Sequence, residues 1–276
     1  MRQSFLTKRS FSFSRNLVRI SPFVCLFAPT GWAASEFGST DSSRAALIGT
    51  FYDLKQTQKL QPTGVTDAQY TEVLDEFLRK NWDEGVLNRY FRATQPLYTT
   101  QLFIPSIDAA AAPKAFGVEK IVKPTMWVAH YKGQVIPPTD GAWRFWGQGD
   151  DILCVAVNGR IVLINNWAGL RFPSIRWRSP EPTQVPCGKL KLAAGHWMKL
   201  KGGEPVDLDV LVGELPGGLF AAYLMIEKRG DSDASAGGQR LFPIFQLAPY
   251  DPPLPTDPSG QAPRFLPNGP IWKGVQ

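Results

Sequence analysis

Apolar and polar positions change period along this chain. From Ala46 to Leu54, ALIGTFYDL, the residues are mostly apolar and aromatic and predict a first strand. Tyr70, Val73, Leu74, Phe77 and Leu78 then recur at helical spacing. Ahead of them, Thr66-Asp67-Ala68-Gln69 is a capping-box sequence, with Val65 and Tyr70 placed for a hydrophobic staple. Asp67, Glu72, Asp75, Glu76, Arg79 and Lys80 take the other face of this helix and read as solvated surface. Trp82 to Phe91 continues as a second, turn-rich helical piece after a break near Gly85.

From Tyr98 onward the pattern is that of strands. They are expected over 99–105, 125–131, 141–146, 152–157, 160–164, 206–212 and 219–227, with a small-residue loop through Ala109 to Ala112. Asn158-Gly159, set between two apolar runs, predicts a type I′ hairpin because both residues accept positive φ. In Val206 to Val210 the apolar residues alternate with Asp207 and Asp209, a half-buried strand with its acids outward. Trp143 and Phe145 share a core face, and Trp146 points the other way as a surface candidate. Gly230 to Gly238 reads as a polar loop. Prolines are dense from Pro243 onward, so that tail should be irregular, with Phe265, Leu266 and Trp272 pinning it to the domain. The fold class is mainly β: a β-sandwich over 46–247 with a helical insertion at about 66–91 and a Pro-rich tail over 248–276.

The N-terminus changes how charge is read. Residues 1–33 hold Arg2, Lys8, Arg9, Arg15 and Arg19 and no acid, then an apolar run from Ile20 to Ala28, then the small residues Gly31 and Ala33. That order is a secretory leader, and the run is too short to span a bilayer. Residues 34–45 follow as a flexible lead-in. The whole chain carries 30 basic and 24 acidic residues, net +6. Without the leader's five bases, 25 stand against 24, a net charge near +1. No clustered basic surface remains to argue for nucleic acid. The mature part has no transmembrane candidate and belongs outside the cytoplasm or at the cell envelope. Cys154 and Cys187 survive leader removal and can either pair or remain free thiols.

The richest stretch chemically is Phe145 to Trp167, FWGQGDDILCVAVNGRIVLINNW. Asp150 and Asp151 lie at a turn between two strands, where paired carboxylates can serve a hard cation such as calcium. Asn165 and Asn166 offer amides for sugar hydroxyls, and Trp167, Arg171 and Trp177 follow in a long connecting segment. Signs of an enzyme are few. The chain has two histidines and no H-E-x-x-H, G-x-S-x-G or phosphate loop. Glu204 and Glu214 are the remaining pair for glycoside hydrolysis, so non-enzymatic binding is the expectation.

This stretch resembles the core signature of the PA-fourteen domain, a β-sandwich module. Asp150-Asp151 match its acid pair, Asn158-Gly159 its turn, and Ile164-Asn165-Asn166-Trp167 its closing motif, with Asn165 in place of an aspartate. Gly149 stands where the family usually has serine. Gly49-Thr50-Phe51-Tyr52 and Ala194-Gly195 extend the resemblance, which covers roughly Leu47 to Glu227 with the helices as an insertion. It implies carbohydrate recognition of a glycan or polysaccharide, with Asp150 and Asp151 joined by a cis peptide and holding a calcium ion. Asn165, Asn166 and Trp167 are then the candidates for contact with the sugar. The alternative is a structural or assembly module that binds another envelope protein.

Overall fold

The computed structural model describes residue 1 and residues 35–275, apart from 168, 183–184, 188–189, 232–233, 250–256 and 258. The leader and its small-residue exit lie outside the described residues. In chain order the elements are β1 (Leu47–Asp53), α1 (Asp67–Arg79), α2 (Glu84–Leu87), β2 (Phe91–Arg92), β3 (Leu97–Thr99), β4 (Phe103–Asp108) and α3 (Ala111–Ala115). Then come β5 (Trp127–Ile136), β6 (Gly141–Asp150), β7 (Ile152–Val157), β8 (Arg160–Ile164), β9 (Val185–Cys187) and β10 (Leu190–Ala194). The last long strands follow β11 (Met198–Leu200) and are β12 (Val206–Glu214) and β13 (Leu219–Lys228).

These strands form two antiparallel sheets. The first runs β2-β1-β5-β12-β7-β8, with β3 and Lys273–Gly274 added to β1 and β5. The second runs β4-β13-β6-β10-β9, with β11 added to β6. The alternation of side chains along each strand decides what lies between them. Phe51, Trp127, Tyr131, Val210 and Val212 from the first sheet meet Trp143, Phe145, Phe220 and Leu224 from the second in the main core. The outer face of the first sheet, through Tyr52, Val128, Ile152, Cys154 and Leu211, is covered by α1 and α2. The outer face of the second, through Trp146, Tyr223 and Met225, is covered by Phe242 and Ile244, which follow β13, and by Phe265 of the tail. Among the described residues, no helix is long and apolar enough to cross a membrane.

Local signals correspond closely to what formed. Helix α1 begins at the capping box, where Gln69 Oε1 accepts the Thr66 backbone N–H at 3.0 Å. Asn158 and Gly159 both have positive φ, 49° and 73°, and the turn joins β7 to β8. Trp272 is buried against Trp143, Phe145 and Phe245 and fixes the tail.

Several expectations need correction, mostly where distant chain covers a residue. The strand expected over 99–105 is two strands, because the chain leaves the first sheet after Thr99 and joins the second at Phe103. Residues 111–115 form α3 where a loop was expected. The lead-in is anchored at one point, with Phe37 buried among Phe116, Trp127 and Phe220, while residues 41–44 are exposed. Trp146 is fully buried because Phe242, beyond β13, stacks on it at 4.5 Å. Asp75 is buried where a solvated face was expected. Short strands β9 to β11 lie where none was read, and two-residue strands form at Phe242–Pro243 and, in the tail, at Phe265–Leu266 and Lys273–Gly274. Cys154 and Cys187 are free buried thiols in clusters on opposite outer faces, which excludes the pairing.

Candidate functional site

Asp150 is the last residue of a strand in the second sheet, paired with Ala221. Ile152 opens a strand in the first sheet, paired with Gly213. The acid pair is therefore the step by which the chain crosses between sheets at one end of the sandwich. The peptide bond between Asp150 and Asp151 is cis, as the resemblance implies. Gly149 is needed at this crossing, since a Cβ there would lie 2.4 Å from the Ile152 carbonyl carbon. A serine has no room on this backbone.

The same register brings in a third carboxylate. Gly213 pairs with Ile152, so Glu214 at the end of β12 arrives beside the crossing. The Leu215 N–H donates to Asp151 Oδ2 at 2.9 Å, and the Gly217 N–H donates to Glu214 Oε1 at 2.9 Å. Glu214 is 1% exposed, and its Oε2 is buried without a hydrogen-bond partner. Burial pushes the Asp150 carboxyl up to about 6, with the Asp151 charge adding to it. Burial also raises Asp151, against the Leu215 N–H. Glu214 is pushed up to about 9, first by burial and then by the charge of Asp151. Three crowded carboxyls do not all ionise unless a cation or protons offset the charge.

The donor set is all oxygen, the chemistry that a hard cation prefers. Among the described residues no three His, Cys, Asp or Glu side chains form a ready-made metal cage. The carboxylates thus fit calcium by charge and donor type, and any ion here must complete its coordination from other oxygens.

The closing motif forms the neighbouring wall. The Trp167 N–H donates to the Asp151 carbonyl at 2.7 Å, and the Trp167 side chain is 46% exposed. Asn165 and Asn166 turn their amides inward. Asn165 Nδ2 donates to the Gly147 carbonyl, Gln148 Oε1 and the Lys191 carbonyl at 2.7–2.8 Å. Asn166 Oδ1 accepts the Leu153 N–H at 3.1 Å, and its Nδ2 donates to the Leu170 carbonyl at 3.1 Å. These two side chains shape the turn, and Trp167 presents its ring outward.

Other candidates separate from this cluster. Glu204 is exposed and paired with Lys201 before the start of β12, whereas Glu214 ends that strand. At about 3.3 Å per residue they stand roughly 30 Å apart, against the roughly 5–9.5 Å of a glycosidase pair. Arg171 is exposed, and Trp177 is half-buried edge-on to His196. Glu214 is the site residue that sequence alone did not assign to the acid pair. Its signal was faint: an acid closing an apolar strand just before Pro-Gly-Gly.

No family model matches the chain, and no curated protein does. Solved structures do. The chain is similar to PA14 domains. The PA14 domain of the antifreeze protein MpAFP aligns at 13% identity and TM-score 0.42, over 75% of this chain and 89% of that one. A PA14 sugar-binding domain from an RTX adhesin aligns at 13% identity and TM-score 0.42, over 74% and 96%. The Epithelial Adhesin 6 A domain from Candida glabrata, solved with Galb1-3GlcNAc, aligns at 13% identity and TM-score 0.40, over 75% and 94%.

Proposed function

We propose that the domain is a secreted carbohydrate-recognition module of the cell envelope, with calcium as a bound ion. The observation that carries this reading is the convergence of Asp150, Asp151 and Glu214 beside the outward-facing Trp167. Asp150 and Asp151 would hold the ion, and Glu214 would add negative charge behind it. An ion held by few protein oxygens keeps positions open for water or vicinal sugar hydroxyls. The half-exposed indole supplies an apolar face for a sugar ring. The test is binding of the purified protein to a broad glycan panel with calcium and again with chelator. The expected result is a coherent sugar class bound only with calcium, lost in Asp150→Asn/Asp151→Asn and weakened roughly tenfold in Trp167→Ala. Binding indifferent to chelator removes the ion from the reading. Silence from folded protein on the whole panel overturns it in favour of an assembly module.

A further inference from the structure

Asp75 follows Leu74 on the apolar stripe of α1, and its carboxylate is 3% exposed. A buried carboxylate needs donors. One is local, Arg79 Nε at 2.7 Å one turn along the helix. The others come from a distant segment: the Ser174 and Ile175 N–H groups donate to Asp75 Oδ1 at 2.8 and 3.2 Å. Two consecutive amides on one oxygen fix both the position and the direction of that backbone.

The segment held this way begins at the acid pair. Trp167 is bonded to the Asp151 carbonyl, the Leu170 N–H donates to the Trp167 carbonyl at 3.1 Å, and Asn166 closes onto Leu170. Phe172 then belongs to the buried cluster that holds Tyr70, Leu74 and Phe77 of the insertion, and Leu170 and Ile175 pack against that cluster. From Asn165 to Ser179 none of the described residues is in a strand or a helix. Sheet ladders therefore do not run through it: its start is tied to the crossing by Asn165, Asn166 and Trp167, and further along it is tied to α1 at Ser174 and Ile175.

We infer that Asp75 is a positioning residue of the candidate site. Through the Ser174 and Ile175 amides, the helical insertion fixes the segment that carries Trp167, so the ring's place beside Asp151 depends on α1. The functional consequence rests on the carbohydrate reading, and the geometric one does not.

The test uses the full chain with Asp75→Ala, which removes both acceptor oxygens. Arg79→Gln, which loosens the carboxylate without touching the segment, is the second variant should Asp75→Ala fail to fold. Hydrogen exchange at Ser174 and Ile175 should accelerate roughly tenfold or more, while β5 and β12 stay protected. Hydroxyl-radical footprinting should show a changed modification rate at Trp167. On the glycan panel, sugar affinity or selectivity should change at unaltered calcium affinity, because the acid pair is untouched. Asp75→Asn, which keeps one carbonyl acceptor, should recover part of each effect. Unchanged exchange at both amides, or an unchanged Trp167 footprint once they open, overturns the inference. If the wild-type protein binds no sugar, the carbohydrate reading falls, and exchange with footprinting still decides the role of Asp75.

Discussion

His130 Nε2 lies 2.9 Å from Asp209 Oδ1, in a contact between the neighbouring strands β5 and β12 of the first sheet. On its other side, Glu84 Oε1 of α2 stands 3.6 Å from Nδ1 and also takes Lys132 Nζ at 2.6 Å. Phe77 and Trp82 enclose the ring. Burial opposes the imidazolium, but Asp209 and then Glu84 outweigh it and raise the pKa above 6.5. A raised histidine stabilises the fold fully below pH 6.5, and that contribution is lost as pH rises through the folded value. His130→Asn should therefore cost about 2–4 kcal/mol at pH 6 and clearly less at pH 9. Urea unfolding of both proteins across that range checks it. A cost that does not change with pH would refute the charged pair.

The acid cluster has the opposite chemistry and runs in the same pH direction. A carboxyl whose folded pKa is raised favours the protonated fold, so the native state is penalised progressively as pH climbs from about 4.5 to about 9 at Glu214. Glu214→Gln removes that penalty. In chelator at pH 8 this variant should be more stable than wild type by about 1–3 kcal/mol, and at pH 4 the two should nearly coincide. Millimolar calcium should raise the wild-type melting temperature and leave Asp150→Asn/Asp151→Asn unmoved. A Glu214→Gln protein less stable than wild type in chelator would show that Glu214 is not under charge stress.

Much of this architecture was legible locally. The capping box at Thr66, the I′ turn at Asn158-Gly159 and the alternation in β12 each depend on a few adjacent residues, and each formed. What failed depended on chain far away. Asp75 looks solvated until the amides of Ser174 and Ile175 are laid over it, and Trp146 looks exposed until Phe242 stacks on it. One of the four residues of the candidate site behaves the same way. Asp150, Asp151 and Trp167 sit in one readable motif, whereas Glu214 joins them only through the pairing of Gly213 with Ile152. Strand register between segments some 60 residues apart leaves no local trace in a single sequence.

Gly213 supports this arrangement from behind. A Cβ there would sit 2.3 Å from Tyr70 Oη, with Val128 Cγ1 at 2.8 Å and the Trp127 carbonyl oxygen at 2.9 Å. The Tyr70 hydroxyl cannot simply move, because it donates to that same carbonyl at 3.0 Å. Gly213→Ala should cost about 2–3 kcal/mol through overpacking. In a Tyr70→Phe background the cost should fall without vanishing, since the Val128 and Trp127 contacts remain. A double-mutant cycle by denaturant unfolding measures the coupling. Strict additivity would mean that the helix does not press on the strand at this point.

At the second sheet, one arginine ties β6 to its surroundings. Arg144 is 4% exposed and lies over the Trp146 and Trp197 rings, at 4.8 and 4.3 Å from their centroids. Its Nε meets Glu227 at 2.6 Å and its NH1 group meets Glu181 at 2.8 Å. Glu227 Oε2 also accepts from Trp146 Nε1 at 2.6 Å, so ring and cation share one carboxylate. A planar guanidinium can stack between two indoles while binding two acids, which an ammonium cannot do. Arg144→Lys should cost about 2–3 kcal/mol despite retaining charge, because the stack and one ion pair are lost together. Arg144→Met should cost about 3–5 kcal/mol, because it leaves the half-buried Glu227 with Arg240 as its remaining ion pair beside the Trp146 N–H. Combining Arg144→Met with Glu227→Gln should recover part of that loss, and chemical denaturation of the three variants decides it. If Arg144→Lys matches wild type, charge alone holds this corner and the stacked geometry contributes nothing measurable.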